Sequence, residues 1–299
     1  MPRTETSSGL VHGADSRVGI IAGGGALPGT IAQSLKKQAS PPYILMVEGE
    51  TDPDSGLEDY DHEVMVLEDA PSLVGRLRRQ NITHVVMAGE IKRRPRLAAM
   101  RPGFGMLRYV PALLRALSSG DDGLLRFVVT WLEDNGFKVV GAHQIVPDLL
   151  AMQGQYGKIA PQKADWPDIE AGRIAAEAIG ALDIGQGAVA IGGRAIALEG
   201  IEGTDAMLVR VKDLRDHGRL AGKRRGVLVK CSKPGQELRT DLPSIGPRTI
   251  DAAHAAGLAG IAVEAGGSLV LNGPEMIARA DALGLFVIGL PPGEVEHGQ

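Results

Sequence analysis

Short apolar runs that alternate with helical stretches constrain this chain more than any other feature. RVGII, YILMV, HEVMV and HVVMA are separated by segments in which apolar residues recur at helical spacing, as Leu27, Ile31 and Leu35 do. Strands that alternate with helices argue for a parallel, doubly wound sheet. From Leu97 to Asn135 the pattern turns helical, in GMLRYVPALLRALSS and DDGLLRFVVTWLEDNG, with Asp121 or Asp122 as cap and Gly136 as stop. FKVVGAH reads as a further strand.

Around residues 147–165 the periodicity lapses, and a domain boundary is expected there. This gives an N-terminal Rossmann-like domain over 17–150 and a C-terminal catalytic α/β domain over 151–299, behind a disordered extension or tail over 1–16. The second half opens on an alanine-rich helix, DIEAGRIAAEAIGALDIG. A hairpin follows about Gly192-Gly193, then a helix from Thr204 or Asp205. The strand GVLVKC, the helix TIDAAHAAG, the strand GIAVEAG, the short run SLVL, the helix PEMIARADALG and the strand LFVIGL complete it.

Composition excludes several classes. The net charge is −4 with no long basic run, so there is no footprint for nucleic acid. The short cluster Lys92, Arg93, Arg94 and Arg96 fits a solvated face, an anion site or a membrane-surface contact. A single cysteine, Cys231, rules out an intramolecular disulfide or a cysteine zinc site. No segment approaches the roughly 20 apolar residues that span a bilayer, and the first residues lack the apolar stretch of a signal peptide. A cytoplasmic protein is expected.

The turn AGGGALPG, between a strand and a helix, is where free amides bind anions. The dinucleotide fingerprint is incomplete: from Gly23 the third glycine is replaced by Pro28, and from Gly24 the middle one by Ala26. Nucleotide or phosphate contact through Gly23, Gly24 and Gly25, an inert turn, and a nicotinamide site all stay open.

The loop after GVLVKC carries Lys230, Lys233, Gln236, Glu237, Arg239, Asp241 and Arg248, stiffened by Pro234, Pro243 and Pro247. Cations beside a carboxylate on a rigid loop suit phosphate chemistry: the cations neutralise phosphoryl oxygens, and the carboxylate holds a hard cation or orients water. The alternative is a salt-bridged surface loop. Arg248 lies near the positive end of a helix, which asks for an anion beside it. Glu199, Glu202 and Asp205, in LEGIEGTDAM, form a second acidic group. Capping accounts for Asp205 or Thr204. The acids can serve magnesium, which takes one or two carboxylates with water and phosphate oxygens. His143 follows a strand, and a satisfied, partly buried histidine is the simpler reading of it. Without a G-x-S-x-G elbow or a Walker loop, acyl transfer and P-loop hydrolysis are not expected.

GIIAGGGALP, EGTDAM, KPGQELRTDLPSIGPRT and GIAVEAG, in this order, resemble the LpxI-type UDP-2,3-diacylglucosamine pyrophosphatases from about residue 17 to 290. The resemblance implies hydrolysis of UDP-2,3-diacylglucosamine to 2,3-diacylglucosamine 1-phosphate (lipid X) and UMP in lipid A biosynthesis. It further implies a divalent cation, usually Mg2+, water attack on the sugar-side phosphorus, and lipid held between two α/β domains. The family's catalytic aspartate matches Asp241; Lys233 and Gln236 share its segment. Glu237 replaces a frequent aspartate, which displaces that carboxylate by one methylene. Lys230, Arg239, Arg248, Thr204 and the glycine turn are then expected to bind substrate, and Asp241, Asp205 and Glu202 to serve the metal. Met100, Phe104, Met106, Leu107, Leu113 and Leu114 form either an acyl-chain wall or plain core. Peripheral contact with the inner membrane and a homo-oligomer stay open, as does a nucleotide- or lipid-binding protein without catalysis.

Overall fold

The computed structural model describes residues 16–100, 108–118, 120–220, 225–234 and 237–292. Residues 1–15, Phe104, Met106, Leu107 and Gln236 lie outside them, and so do the expectations placed there. The chain divides into two compact units: Met1–Pro147 with Glu237–Asp241, and Asp148–Gln236 with Leu242–Gln299.

The first unit runs β1 (Val18–Ala22), α1 (Leu27–Lys37), β2 (Tyr43–Val47), β3 (His62–Met65), α2 (Leu73–Arg79), β4 (His84–Ala88), α3 (Val110–Ser118), α4 (Gly120–Asp134), β5 (Lys138–Val139) and α5 (Ala142–Ile145). Its five strands are all parallel in the order β3-β2-β1-β4-β5. β1 and β2 are buried at every residue, as strands covered on both faces must be. The core takes Leu73 and Leu77 from α2, and Val129 and Leu132 from α4. Leu113 belongs to it as well, whereas Leu114 is exposed. α4 begins one residue before Asp121, so the expected caps fall inside its first turn. Asp122 there pairs with Arg126 one turn on.

The second unit runs β6 (Gly154–Tyr156), α6 (Trp166–Ala181), β7 (Gly187–Ala190), β8 (Ala195–Leu198), α7 (Gly203–Asp213), β9 (Val227–Lys230), β10 (Ser244–Ile245), α8 (Pro247–Ala255), β11 (Gly260–Glu264), β12 (Leu269–Val270), α9 (Gly273–Leu283) and β13 (Phe286–Leu290). Its main sheet is mixed, in the order β6-β13-β11-β9-β7-β8, with β13, β11 and β9 mutually parallel. β10 and β12 form a separate parallel pair. Alternate residues of the sheet feed opposite cores. Val227 and Val229 pack with Ile169 and Ala176 of α6, while Leu228 packs with Met207, Ile250 and Met276 of α7, α8 and α9. An ion pair buried on its acidic side ties the entry to α6 to the start of β9: exposed Arg225 donates to both oxygens of fully buried Asp165, at 2.7 and 2.8 Å. Burial pushes the Asp165 carboxyl up, but the bonds from Arg225 and from the Gln162 amide outweigh it and leave it below its usual range.

Candidate active site

In the second unit, Lys230 and Lys233 lie at and just beyond the C-terminal end of β9, Glu202, Thr204 and Asp205 at the start of α7, and Arg248 at the start of α8. β9 ends on Lys230, whose side chain is almost fully buried. Its ammonium donates to the Thr204 hydroxyl at 2.9 Å and to the Ser244 carbonyl at 3.3 Å. Thr204 in turn donates to Glu199 Oε1 at 2.7 Å. No carboxylate among the described residues forms an ion pair with Lys230. A buried cation bonded only to neutral oxygens is costly unless an anion joins it.

The next residues are fixed from neighbouring strands and helices. The Ser232 amide and hydroxyl both donate to Glu264 Oε2, at 2.8 and 2.6 Å, at the end of β11. Lys233 pairs with Asp183 at 2.8 Å. Just before them in the chain, burial pushes the Cys231 thiol up to about 12, so it stays protonated and packs as an apolar residue.

Glu237–Asp241 groups with the first unit. Arg239 donates to Glu237 Oε1 and Oε2 at 2.7 and 2.8 Å, to Glu133 at 2.6 Å and to the Val139 carbonyl at 3.4 Å. The guanidinium expected to clamp phosphate is therefore engaged by two carboxylates. The same contacts answer the question left by Glu237: its carboxylate faces Arg239, which holds its pKa below the usual range. Thr240 Oγ1 donates to the Glu237 carbonyl, and the Asp241 amide does so at 3.4 Å, so Asp241 sits half-buried on a braced turn. His143, in the same unit, is not the satisfied histidine that was expected. Its Nδ1 is buried without a partner among the described residues, and burial lowers its pKa, which leaves the ring neutral near pH 7.

Two of the three acids nominated for metal, Glu202 and Asp205, face arginines. Glu202 pairs with Arg210 at 2.6 Å, and Asp205 lies 3.4 Å from Arg248. Among the described residues no group of three acidic, histidine or cysteine side chains could hold a metal ion. Asp205 also supplies the anion that Arg248 asks for at the start of α8, although that pair is exposed and weak. Neither Thr204 nor Asp205 caps α7. The helix starts at Gly203, its N-cap position is Glu202 and no side chain caps it; Thr204, inside the first turn, turns its hydroxyl to Glu199.

At the glycine turn the three amides are already bonded within the chain: Gly23 to the Ala88 carbonyl, Gly24 to the Glu90 carbonyl, and Gly25 to Asp52 Oδ2 at 2.8 Å. A Cβ on Gly23 would lie 2.4 Å from the Glu90 carbonyl oxygen, so close approach to the end of β4 requires glycine there. The basic cluster is likewise braced. Arg93 donates to both oxygens of Glu68, at 2.7 and 3.1 Å, and the Lys92 amide donates to Glu50 at 2.7 Å. The Arg93 bond, with one from the Arg96 amide, lowers the Glu68 carboxyl to about 2. Its stabilisation is complete above the unfolded value of about 4.3 and is lost as pH falls through the folded one. Carbon-detected titration is expected to place the Glu68 inflection near 2 and to move it up toward an ordinary glutamate in Arg93→Ala; an ordinary inflection in the parent would contradict this pairing.

Residues 17–149 match the LpxI N-terminal domain and residues 152–288 the LpxI C-terminal domain. The chain is 41% identical over 279 residues to the UDP-2,3-diacylglucosamine pyrophosphatase LpxI of Caulobacter vibrioides, covering 93% of this chain and 99% of that one. The chain belongs to the LpxI family. A solved structure, CobK precorrin-6A reductase, matches 94% of this chain and 89% of that one at 13% identity and a TM-score of 0.30, too low to carry an argument.

Within this LpxI-family chain the residue types of the site were legible, but their partners were not. Glu264, Asp183 and Ser244 had no signal in the sequence. They meet Ser232, Lys233 and Lys230 only because of the sheet order and the return of the loop.

Proposed function

We propose that this chain hydrolyses the pyrophosphate of UDP-2,3-diacylglucosamine to UMP and 2,3-diacylglucosamine 1-phosphate, with water attacking the sugar-side phosphorus. The observation that carries this reading is the match to the Caulobacter vibrioides pyrophosphatase along nearly the full length of both chains. The site's chemistry agrees with it. Lys230 offers a buried ammonium to an anion, and Lys233 adds a second cation three residues beyond the end of β9. Asp241, three residues ahead of Ser244 in the chain, is the carboxylate assigned to orient the attacking water.

A divalent cation remains part of the proposal on the chemistry of the substrate rather than on a preformed cage. Magnesium keeps much of its water shell and takes oxygens from phosphates, and a diphosphate supplies them. Among the described residues no helix is long and apolar enough to cross a membrane, so a diacylated substrate is expected to be met at a membrane surface from the cytoplasmic side.

Purified protein given the UDP-lipid and Mg2+ is expected to release UMP and the sugar phosphate in equal amounts, and to stop when the cation is chelated. Stoichiometric binding without UMP release would replace the enzyme with a binding protein.

A further inference from the structure

We infer that Glu199, acting through the hydroxyl of Thr204, is a positioning residue that aims the Lys230 ammonium at the anionic substrate. The inference rests on the reading that Lys230 meets the diphosphate.

The three side chains form a directed chain of hydrogen bonds. Glu199 Oε1 is an acceptor only, so the Thr204 proton points to it, at 2.7 Å. The lone pairs of Thr204 are then left for Lys230, which donates to them at 2.9 Å. With the Ser244 carbonyl at 3.3 Å, two of the ammonium's three N–H directions are fixed by neutral oxygens. The third has no partner among the described residues.

The interposed hydroxyl matters chemically. A carboxylate in direct contact with Lys230 would neutralise it and compete with phosphate. Relayed through a hydroxyl, the carboxylate orients the ammonium without occupying it.

Glu199 is itself seated by backbone. It follows β8, and its Oε2 accepts from the Gln186 amide at 3.4 Å. A Cβ on Gly187 would fall 2.6 Å from that oxygen, so glycine at 187 leaves room for the carboxylate in this position. Glu199 thus belongs to a built arrangement that reaches across β8, β7 and β9, neighbours in the sheet.

The test compares Thr204→Val, Thr204→Ser and Glu199→Ala, each alone and in a Lys230→Met background. Two readouts are used: kcat/KM for UMP release, and affinity for UDP by calorimetry. Thr204→Val and Glu199→Ala are expected to lose at least tenfold in kcat/KM and to bind UDP more weakly, with melting temperatures near the parent's. Thr204→Ser, which keeps the hydroxyl, is expected to stay within about threefold. In the Lys230→Met background, neither Thr204→Val nor Glu199→Ala is expected to add a further loss, because the group they orient is gone. Parent-like kcat/KM and UDP affinity in Thr204→Val and Glu199→Ala would overturn the inference and leave the hydrolase reading intact, as would losses that simply add to that of Lys230→Met. If the parent releases no UMP, the hydrolase reading fails. The UDP titration still decides the inference: undiminished affinity in Thr204→Val refutes it, and weakened affinity absent from the Lys230→Met background supports it.

Discussion

Asp241→Ala is expected to lower turnover at least about a hundredfold while leaving the protein folded, the scale of losing one group that acts on transition-state charge. The turn that carries Asp241 is held by its neighbours. Arg239 is bonded to Glu237 and Glu133, and Thr240 to the Glu237 carbonyl. Removing one half-buried carboxylate from this frame leaves those bonds in place. Initial rates of UMP release, compared with thermal melts of the same preparations, separate the two effects. Near-normal turnover in a folded Asp241→Ala protein would remove this residue from the mechanism.

Lys230→Met is expected to cost turnover on the same scale and to leave stability unchanged or raised. Lys230 ends a strand buried along its whole length and carries its charge into the interior. Burying a cation without a carboxylate beside it is unfavourable, and an apolar side chain of similar length removes that cost. A residue kept for folding would behave in the opposite way. Activity and melting temperature that fall together would mark Lys230 as structural, whereas lost activity with a steady or higher melting temperature fits a cation kept for an anionic ligand.

The strands that could be read in advance are those whose burial is written in their own residues. VGIIA and YILMV are apolar throughout, VLVK is apolar up to its final lysine, and all three lie inside sheets covered on both faces. Gly154–Tyr156 and Ser244–Ile245 could not be read that way. The first is a strand because it pairs with β13 and the second because it pairs with β12, and neither has a pattern of its own. Capping rules placed Thr204 at the start of a helix correctly to within a residue but misjudged its hydroxyl, since a glutamate five residues earlier takes the proton.

The site divides along the same line. Lys230, Lys233 and Asp241 were recognisable as residue types suited to phosphate, and Arg248 as a cation in need of an anion. That Asp205 would meet that need, and that Arg239 would be engaged by Glu237 and Glu133, depends on distances that only the folded chain sets. The glycine turn shows the converse. Its glycines suggested a ligand; close packing against the end of β4 requires glycine at 23, and all three amides are engaged within the chain.

Hydrolysis in water enriched with oxygen-18 tests the central claim most directly. With the UDP-lipid and Mg2+ present, mass spectrometry is predicted to find one heavy oxygen in the 2,3-diacylglucosamine 1-phosphate and none in the UMP. Label in the UMP would place the attack on the other phosphorus, and absence of both products would contradict the account as a whole.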